Sequence, residues 1–331
     1  MASLTKRERV RRALDGGEVD RLPIAFWGHF PSDPRRATEL AAVTLEFQRQ
    51  FDWDFVKLMP SGMYYPQALG CTLTPAAGPG GANGLADSVI KRPEDWELLP
   101  VLDPGEGWLA EHVRSVRLVR EALGPDVPVI QTLFSPLTVA HKMSLHRPFL
   151  ESVREYRVQL EAGLRAIAEG SKRFALACLA AGADGFFYAT QEASRDNLTE
   201  EEFLALGKAY DLDVLQAIEG QGWFNLLHVC GERIRAEAVS DYPVHAINWD
   251  SHRTYPSLSE ARAIWSQALV GGLDRAGALL HGTPEEVAAE VRMAAELGGR
   301  RRFLLSAGCG LPLARPAANL QAARQAVEKL G

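Results

Sequence analysis

Eight short apolar runs, bounded by turn residues and separated by stretches with helical periodicity, constrain the fold of this chain more than any other feature. This alternation is typical of βα units, and eight successive units predict an α/β fold, the (β/α)8 or TIM barrel. The predicted strands are Leu22–Trp27, Phe55–Leu58, Val127–Leu133, Gly185–Tyr188, Phe224–Val229, His245–Trp249, Ala268–Leu273 and Phe303–Ser306. The predicted helices are Leu40–Phe51, Glu111–Leu123, Pro148–Ala181 in two pieces, Glu200–Glu219, Glu232–Ser240, Ser257–Trp265 and Pro284–Leu297.

The length of the chain fits one such barrel. A barrel of about 250 residues with insertions accounts for the 331 residues, and no low-complexity linker divides them, so residues 1–331 are expected to form a single domain. The stretch Tyr64–Gly107 after the second predicted strand reads as a long loop. Loops of this length in compact domains are usually insertions or lids with a function.

Charge and composition exclude several classes of partner. The formal net charge is −6, which is the opposite of the basic surface that a nucleic acid requires. The sequence contains no run of eighteen apolar residues, so we expect no membrane span. The four cysteines are too few and too widely spaced for a secreted disulfide framework, and we expect a cytoplasmic protein with reduced thiols.

Polar and aromatic side chains follow the predicted strands, at the end where TIM-barrel enzymes carry out their chemistry. We predict that several of them bind substrate at the mouth of the barrel. These residues are Trp27 and His29 after the first strand, Tyr64 after the second, Gln191 after the fourth and Asp250 after the sixth.

One imidazole and two thiols form the strongest candidate site. Residues two apart on a strand point to the same side, so His228 and Cys230 can both face the barrel mouth, and Cys309 follows the last strand on a loop flanked by glycines. Each residue alone would be read as a core residue, and Cys71 and Cys178 are read as packing residues. Together, the three at two strand ends predict a metal site.

Zinc prefers histidine and cysteine thiolate, and three protein ligands with an open fourth position characterise a catalytic zinc site. A thiol that enters the open position has a lowered pKa and stays nucleophilic near neutral pH. Glu192, after the fourth strand, either fills the fourth position in the resting enzyme or acts as the acid or base that handles the substrate proton.

Several segments, in order along the chain, resemble the uroporphyrinogen decarboxylase superfamily. They are Thr5–Arg9, Asp20–Pro23, Tyr65–Gly70, Ser135–Ala140, Gly271–Asp274 and Ser306–Pro312. The superfamily contains decarboxylases and a branch of zinc methyltransferases that move a methyl group from a corrinoid protein to a thiol such as coenzyme M. The resemblance implies a TIM barrel over nearly the whole chain.

The sequence departs from the decarboxylase pattern at two places. Decarboxylases carry an Arg-Gln-Ala-Gly-Arg segment where this chain has Phe26–Phe30, and a Phe-Ser-Asp segment where it has Pro60–Gly62. Without those cations and that carboxylate, a polyanionic tetrapyrrole has little to hold it. The methyltransferase branch uses a His-x-Cys pair and a distant cysteine as zinc ligands, and the resemblance assigns that role to His228, Cys230 and Cys309.

The resulting hypothesis is a zinc-dependent methyltransferase. Methylcobalamin carried by a partner corrinoid protein would donate the methyl group, a small thiol would accept it, and the enzyme would be a monomer or a homodimer. Two alternatives stay open at this point. One is a decarboxylase that acts on uroporphyrinogen or a related tetrapyrrole, and the other is a noncatalytic protein that binds a corrinoid or tetrapyrrole.

Overall fold

The structure is a computed structural model that describes residues 3–331, and its centre is a seven-stranded parallel sheet. The strands follow one another in the order β1, β4, β5, β6, β7, β8, β9, with every neighbouring pair parallel. The bounds are β1 Val56–Lys57, β4 Val129–Phe134, β5 Gly185–Thr190, β6 Leu226–Val229, β7 Ala246–Asn248, β8 Ala268–Leu273 and β9 Phe303–Ala307. All seven are buried along their length, as parallel strands covered by helices must be. The predicted barrel fold is confirmed.

The first predicted strand, Leu22–Trp27, forms only isolated bridges, but it occupies the eighth position between β9 and β1. Ile24 pairs in parallel with Leu305, and its carbonyl accepts a hydrogen bond from the Asp54 amide. The Ile24 amide donates to the Asp54 carboxylate instead of a neighbouring strand, and Pro23 has no amide to donate. These two residues interrupt the ladder and explain why no regular strand forms.

A buried ion network fixes this segment. The Asp54 carboxylate is fully buried and accepts from Arg9 Nη1 at 2.8 Å and from Arg21 Nη1 at 2.6 Å. Both guanidinium groups are also nearly buried, so every charge in the network has an opposite charge beside it. The network ties the first helix to the barrel.

Helices cover the outside of the sheet. Their bounds are α1 Lys6–Asp15, α2 Ala37–Phe51, α3 Tyr64–Ala68, α4 Gly107–Leu123, α5 Pro136–Met143, α6 His146–Arg154, α7 Arg157–Ala180, α8 Glu200–Glu202, α9 Ala209–Ile218, α10 Ala278–His281, α11 Pro284–Gly298 and α12 Ala317–Glu328. A π-helical turn, Phe203–Lys208, joins α8 to α9.

Local sequence signals set where several helices begin. Thr5, Thr199 and Thr283 each cap a helix with the side-chain hydroxyl, and a glutamate three residues later completes a capping box. In α11, Pro284 occupies the first turn, where a missing amide costs nothing.

Two predicted helices are wrong. Between β6 and β7, the region Glu232–Ser240 contains only a 3-10 turn, Glu237–Val239, because residues 233–235 exchange backbone hydrogen bonds with residues 193–195 and are held extended. Between β7 and β8, the region Ser257–Trp265 contains only the 3-10 turn Ala261–Ala263, and the Trp265 ring packs against Trp249.

The insertion after β1 is more ordered than the predicted loop. It contains α3, the two-stranded hairpin of β2 (Thr72–Leu73) and β3 (Leu85–Asp87), and the 3-10 turn Pro93–Leu98. Its tip lies against the loop after β9, where the Leu313 amide donates to the Pro79 carbonyl. The insertion therefore reaches the carboxyl end of the barrel strands.

Candidate active site

His228, Cys230 and Cys309 come together at the carboxyl end of the barrel. Their ligand atoms all lie within 4.8 Å of one another, and the Cys309 sulfur is 3.5 Å from His228 Nε2. Ligand atoms of a tetrahedral zinc ion lie about 3.5–3.8 Å apart, given bonds of about 2.0–2.3 Å. The distance between Cys309 and His228 is already in this range, and the widest pair would have to close by at most about 1 Å to hold a zinc ion.

The local structure explains this convergence. His228 lies in β6, and Cys230 directly follows that strand, where its amide donates to the Thr190 carbonyl at the end of β5. Cys309 follows β9 and comes close because Gly308 has no side chain: a Cβ at Gly308 would lie 2.4 Å from the Asp250 Cα.

A hydrogen bond from Asn248 fixes the tautomer of His228. The Asn248 amide nitrogen donates to the Val270 and Ala307 carbonyls, so its Oδ1 is the atom 2.7 Å from His228 Nδ1. That oxygen can only accept a hydrogen bond, so His228 Nδ1 carries the proton and donates it, and Nε2 presents a lone pair toward Cys309. Metal-binding histidines are oriented in this way by their surroundings.

The two thiols lie within 4.8 Å of each other, close enough for each to act on the pKa of the other. The interaction with Cys230 holds the pKa of Cys309 well below its ordinary value, while the interaction with Cys309 and burial hold the pKa of Cys230 well above its own. The pair therefore favours one thiolate even without a metal, and the thiolate is the form of cysteine that binds zinc.

A cavity of about 240 Å³ opens over the three ligands. Trp27, His29 and Gln191, which we predicted to bind substrate, all line it. Burial, with some repulsion from Lys57 and Lys142, lowers the pKa of His29 to about 4, so this imidazole is neutral near pH 7.

The other predicted substrate-binding residues lie elsewhere. Tyr64 is fully buried among aromatic rings, and its hydroxyl donates to the Thr132 carbonyl, so it is a core residue and not part of the cavity wall. Asp250 is buried behind the cavity and pairs with Arg275 at 3.3 Å. Arg275 does line the cavity, so Asp250 contacts a residue of the cavity wall without lining the cavity itself.

Glu192 is buried and does not belong to the group of three ligands. Its Oε1 lies 2.7 Å from His141 Nδ1, while Oε2 has no hydrogen-bond partner among residues 3–331. The neighbouring residue, Gln191, lines the cavity.

Two lysines in the cavity wall were missed by the sequence analysis. Lys57 lies in β1 and its ammonium is 4.3 Å from the centre of the Phe187 ring; Lys142 lies in α5 with its ammonium 5.0 Å from the centre of the Phe134 ring. Neither forms a salt bridge within the described part of the chain. A lysine inside the apolar run from Phe55 to Met59 was the signal that could have found the first of them.

Desolvation is the main influence on the pKa of both lysines. It lowers the pKa of Lys57 to about 7, although Cys309 acts in the opposite direction, and it lowers the pKa of Lys142 against the influence of Cys230 and Glu192. Two ammonium groups that lack a salt bridge, Lys57 partly charged near pH 7 and Lys142 partly buried, make the cavity a favourable place for an anion.

A larger cavity, of about 1090 Å³, lies at the amino end of the barrel strands. Its charged residues largely pair with one another, for example Arg9 with Asp20 and Arg324 with Glu328. TIM-barrel chemistry takes place at the opposite end, so we place the active site at the smaller cavity.

The family comparison matches this geometry. The uroporphyrinogen decarboxylase (URO-D) family model matches residues 5–330. The chain belongs to the uroporphyrinogen decarboxylase family. Within the URO-D family, its relatives include both methyltransferases and decarboxylases.

Methyltransferases are similar to this chain over nearly their whole length. A methylcobamide:CoM methyltransferase (MtbA) of Methanosarcina acetivorans is 23% identical, and another (MtaA) of Methanosarcina barkeri is 25% identical, each with 97% of both chains covered. A uroporphyrinogen decarboxylase of Tolumonas auensis is 28% identical, with 87% of this chain and 86% of that protein covered.

Solved structures support the fold. A methyltransferase from Methanosarcina mazei superposes with a TM-score of 0.86 at 22% identity, covering 99% of both chains. A B12-independent methionine synthase from Shewanella has a TM-score of 0.61 at 16% identity, covering 94% of this chain and 98% of that one. Among residues 3–331, no helix is both long enough and apolar enough to cross a membrane.

Proposed function

We propose that this URO-D family protein is a zinc-dependent enzyme that transfers a methyl group from a methylated corrinoid, carried by a partner protein, to a small thiol. The observation that carries the proposal is the convergence of His228 Nε2 with the Cys230 and Cys309 sulfurs beneath one cavity. The relatives named methylcobamide:CoM methyltransferases support the same reaction class.

His228, Cys230 and Cys309 would hold the metal and leave its fourth position toward the cavity. When bound, zinc lowers the pKa of a thiol in that position, so that the sulfur is an anion near neutral pH and can attack a methyl group. The protein contributes the preset His228 tautomer through Asn248, and Arg275 adds a positive charge beside both cysteines.

Lys57 and Lys142 support a more specific substrate class, a thiol that also carries an acid group. Both ammonium groups line the cavity over the three side chains, and neither forms a salt bridge within the described residues. A carboxylate or sulfonate on the thiol would supply the missing negative charge. Ammonium groups recognise charge more than shape, so planar and tetrahedral acids should both be accepted.

The size of the cavity argues against decarboxylation of a tetrapyrrole. A cavity of about 240 Å³ suits a molecule of a few heavy atoms, and a macrocycle with several acid groups would exceed it. In this proposal the corrinoid stays outside, on its carrier, and only its methyl group approaches the thiol from the mouth. The same argument disfavours a noncatalytic protein that encloses a corrinoid.

Metal analysis tests the site directly. We expect about one zinc per chain in the purified protein and its loss in Cys230→Ser. Cys178→Ser is the matched control, because Cys178 is a buried cysteine that does not belong to the group of three candidate ligands. A protein that binds no zinc when supplied with it would contradict the proposal.

A further inference from the structure

A chain of three polar side chains leads from solvent to Glu192, whose neighbour in sequence, Gln191, lines the cavity. His146, exposed on α6, has Nδ1 3.4 Å from His141 Nε2, and His141 Nδ1 is 2.7 Å from Glu192 Oε1. The Phe149 ring stacks on His141 with the planes 7° apart and the centres 4.2 Å apart, which keeps the imidazole in line. Exposure falls along the chain, from His146 through the partly buried His141 to the buried Glu192.

The inner end of this chain lies beside the candidate active site. Glu192 follows Gln191, a cavity residue, and β5 ends next to Cys230, whose amide donates to the Thr190 carbonyl. Glu192 and Cys230 both lie close enough to the Lys142 ammonium to act on it, and Lys142 also lines the cavity. The second oxygen of Glu192 is buried and has no partner in the described structure.

We infer that Glu192, His141 and His146 form the route by which the proton of the thiol substrate leaves the active site. The inference rests on the proposed function, because only a thiol that enters as its anion has a proton to lose. Acceptance of that proton by Glu192 makes it a catalytic residue, whereas His141 and His146 act through it.

The proton balance is simple. The S–H bond of the thiol breaks, its electron pair stays on sulfur, and the proton goes to the free Oε2 of Glu192. The loaded relay holds one proton between Glu192 Oε1 and His141 Nδ1, which lie 2.7 Å apart, and a second proton on His141 Nε2. As Oε2 takes the thiol proton, the shared proton stays on Nδ1, His141 releases its Nε2 proton to His146 Nδ1, and His146 passes one proton from its Nε2 to water. One proton enters and one leaves, so the net charge of the three side chains is unchanged. After the methylated product has left, Oε2 returns its proton to water in the cavity and His141 regains a proton on Nε2 through His146. Histidine suits this exchange because its two nitrogens can gain and lose protons near neutral pH.

A purely structural role for the Glu192–His141 pair would not affect proton release. We therefore propose to mix zinc-loaded protein with 2-mercaptoethanesulfonate, without a corrinoid, and to follow proton release with a pH indicator in a stopped-flow instrument. The variants are Glu192→Gln, His141→Gln and the milder, exposed His146→Gln. The matched control is His281→Gln, an exposed histidine at the end of α10.

We expect one proton per site from the wild-type protein and from His281→Gln. Release should be at least about tenfold slower in His141→Gln and Glu192→Gln, with a smaller effect in His146→Gln. In a further variant, His141→Ala, which leaves space for a free imidazole, added imidazole should restore the rate. Wild-type rates in both His141→Gln and Glu192→Gln would overturn the relay while leaving the proposed function intact. If the wild-type protein binds zinc but releases no proton with any thiol, the proposed function itself fails.

Discussion

The Cys309 sulfur lies 3.5 Å from His228 Nε2, although 81 residues separate the two in sequence. The contact exists because β6 and β9 end at the same side of the barrel, and because Asn248 keeps the proton of His228 on the other nitrogen. The metal affinity of the site should therefore depend on a residue that never touches the metal.

Replacement of Asn248 by leucine should weaken zinc binding by about 10- to 100-fold, the usual cost of losing a hydrogen bond that orients a histidine ligand. Competition with a chromophoric chelator measures this affinity. Asn248→Asp retains an oxygen acceptor and should lose less. Equal zinc affinity in Asn248→Leu and the wild-type protein would show that the tautomer of His228 is not set by Asn248.

Substitution of Lys57 by methionine should raise the KM for an acid-bearing thiol about tenfold or more, because one hydrogen bond to a charged group contributes about 1.5–3 kcal/mol. Steady-state kinetics with 3-mercaptopropionate and 2-mercaptoethanesulfonate would measure the change. The uncharged 2-mercaptoethanol serves as the control substrate, and its KM should stay nearly constant. A parallel loss with all three thiols would argue against an acid subsite at Lys57.

The pH dependence of acid binding follows from the same lysine. Its pKa is about 7, so the charged ammonium predominates below that pH and is lost as the pH rises through it. The dissociation constant for an acid-bearing thiol should therefore increase above about pH 7. This pH step should be absent in Lys57→Met, and its persistence there would assign the titration to another group.

Loss of the buried Asp54 carboxylate should destabilise the whole fold. Asp54→Ala leaves the buried guanidinium groups of Arg9 and Arg21 without their shared partner, which typically costs about 3–5 kcal/mol. Urea unfolding measures the free energy. Glu46→Gln, which removes an exposed ion pair with Arg49, should change it by less than about 1 kcal/mol, and a similar cost for both would contradict the importance of burial.

The barrel and the convergence of His228 with Cys230 and Cys309 could be predicted because they depend on periodic and local features. Apolar runs mark the strands, and the two-residue spacing of His228 and Cys230 marks one face of a strand end. The cavity lysines could not be found in this way. Lys57 reads as part of a buried strand, and Lys142 lies on α5, a helix whose start at Ser135 and Pro136 was not recognised. Tyr64 was misplaced because α3 turns its ring into the core, a consequence of tertiary packing and not of sequence pattern.

The proposed reaction is tested most directly by a single turnover. Zinc-loaded protein is mixed with methylcobalamin and 2-mercaptoethanesulfonate, cobalamin absorbance is followed under anaerobic conditions, and the methylated thiol is identified by mass. We predict stoichiometric loss of methylcobalamin with formation of cob(I)alamin and the thioether, and no transfer in Cys309→Ala. The absence of the thioether with free and with protein-bound methylcobalamin, from protein that holds its zinc, would contradict methyl transfer to this class of thiol.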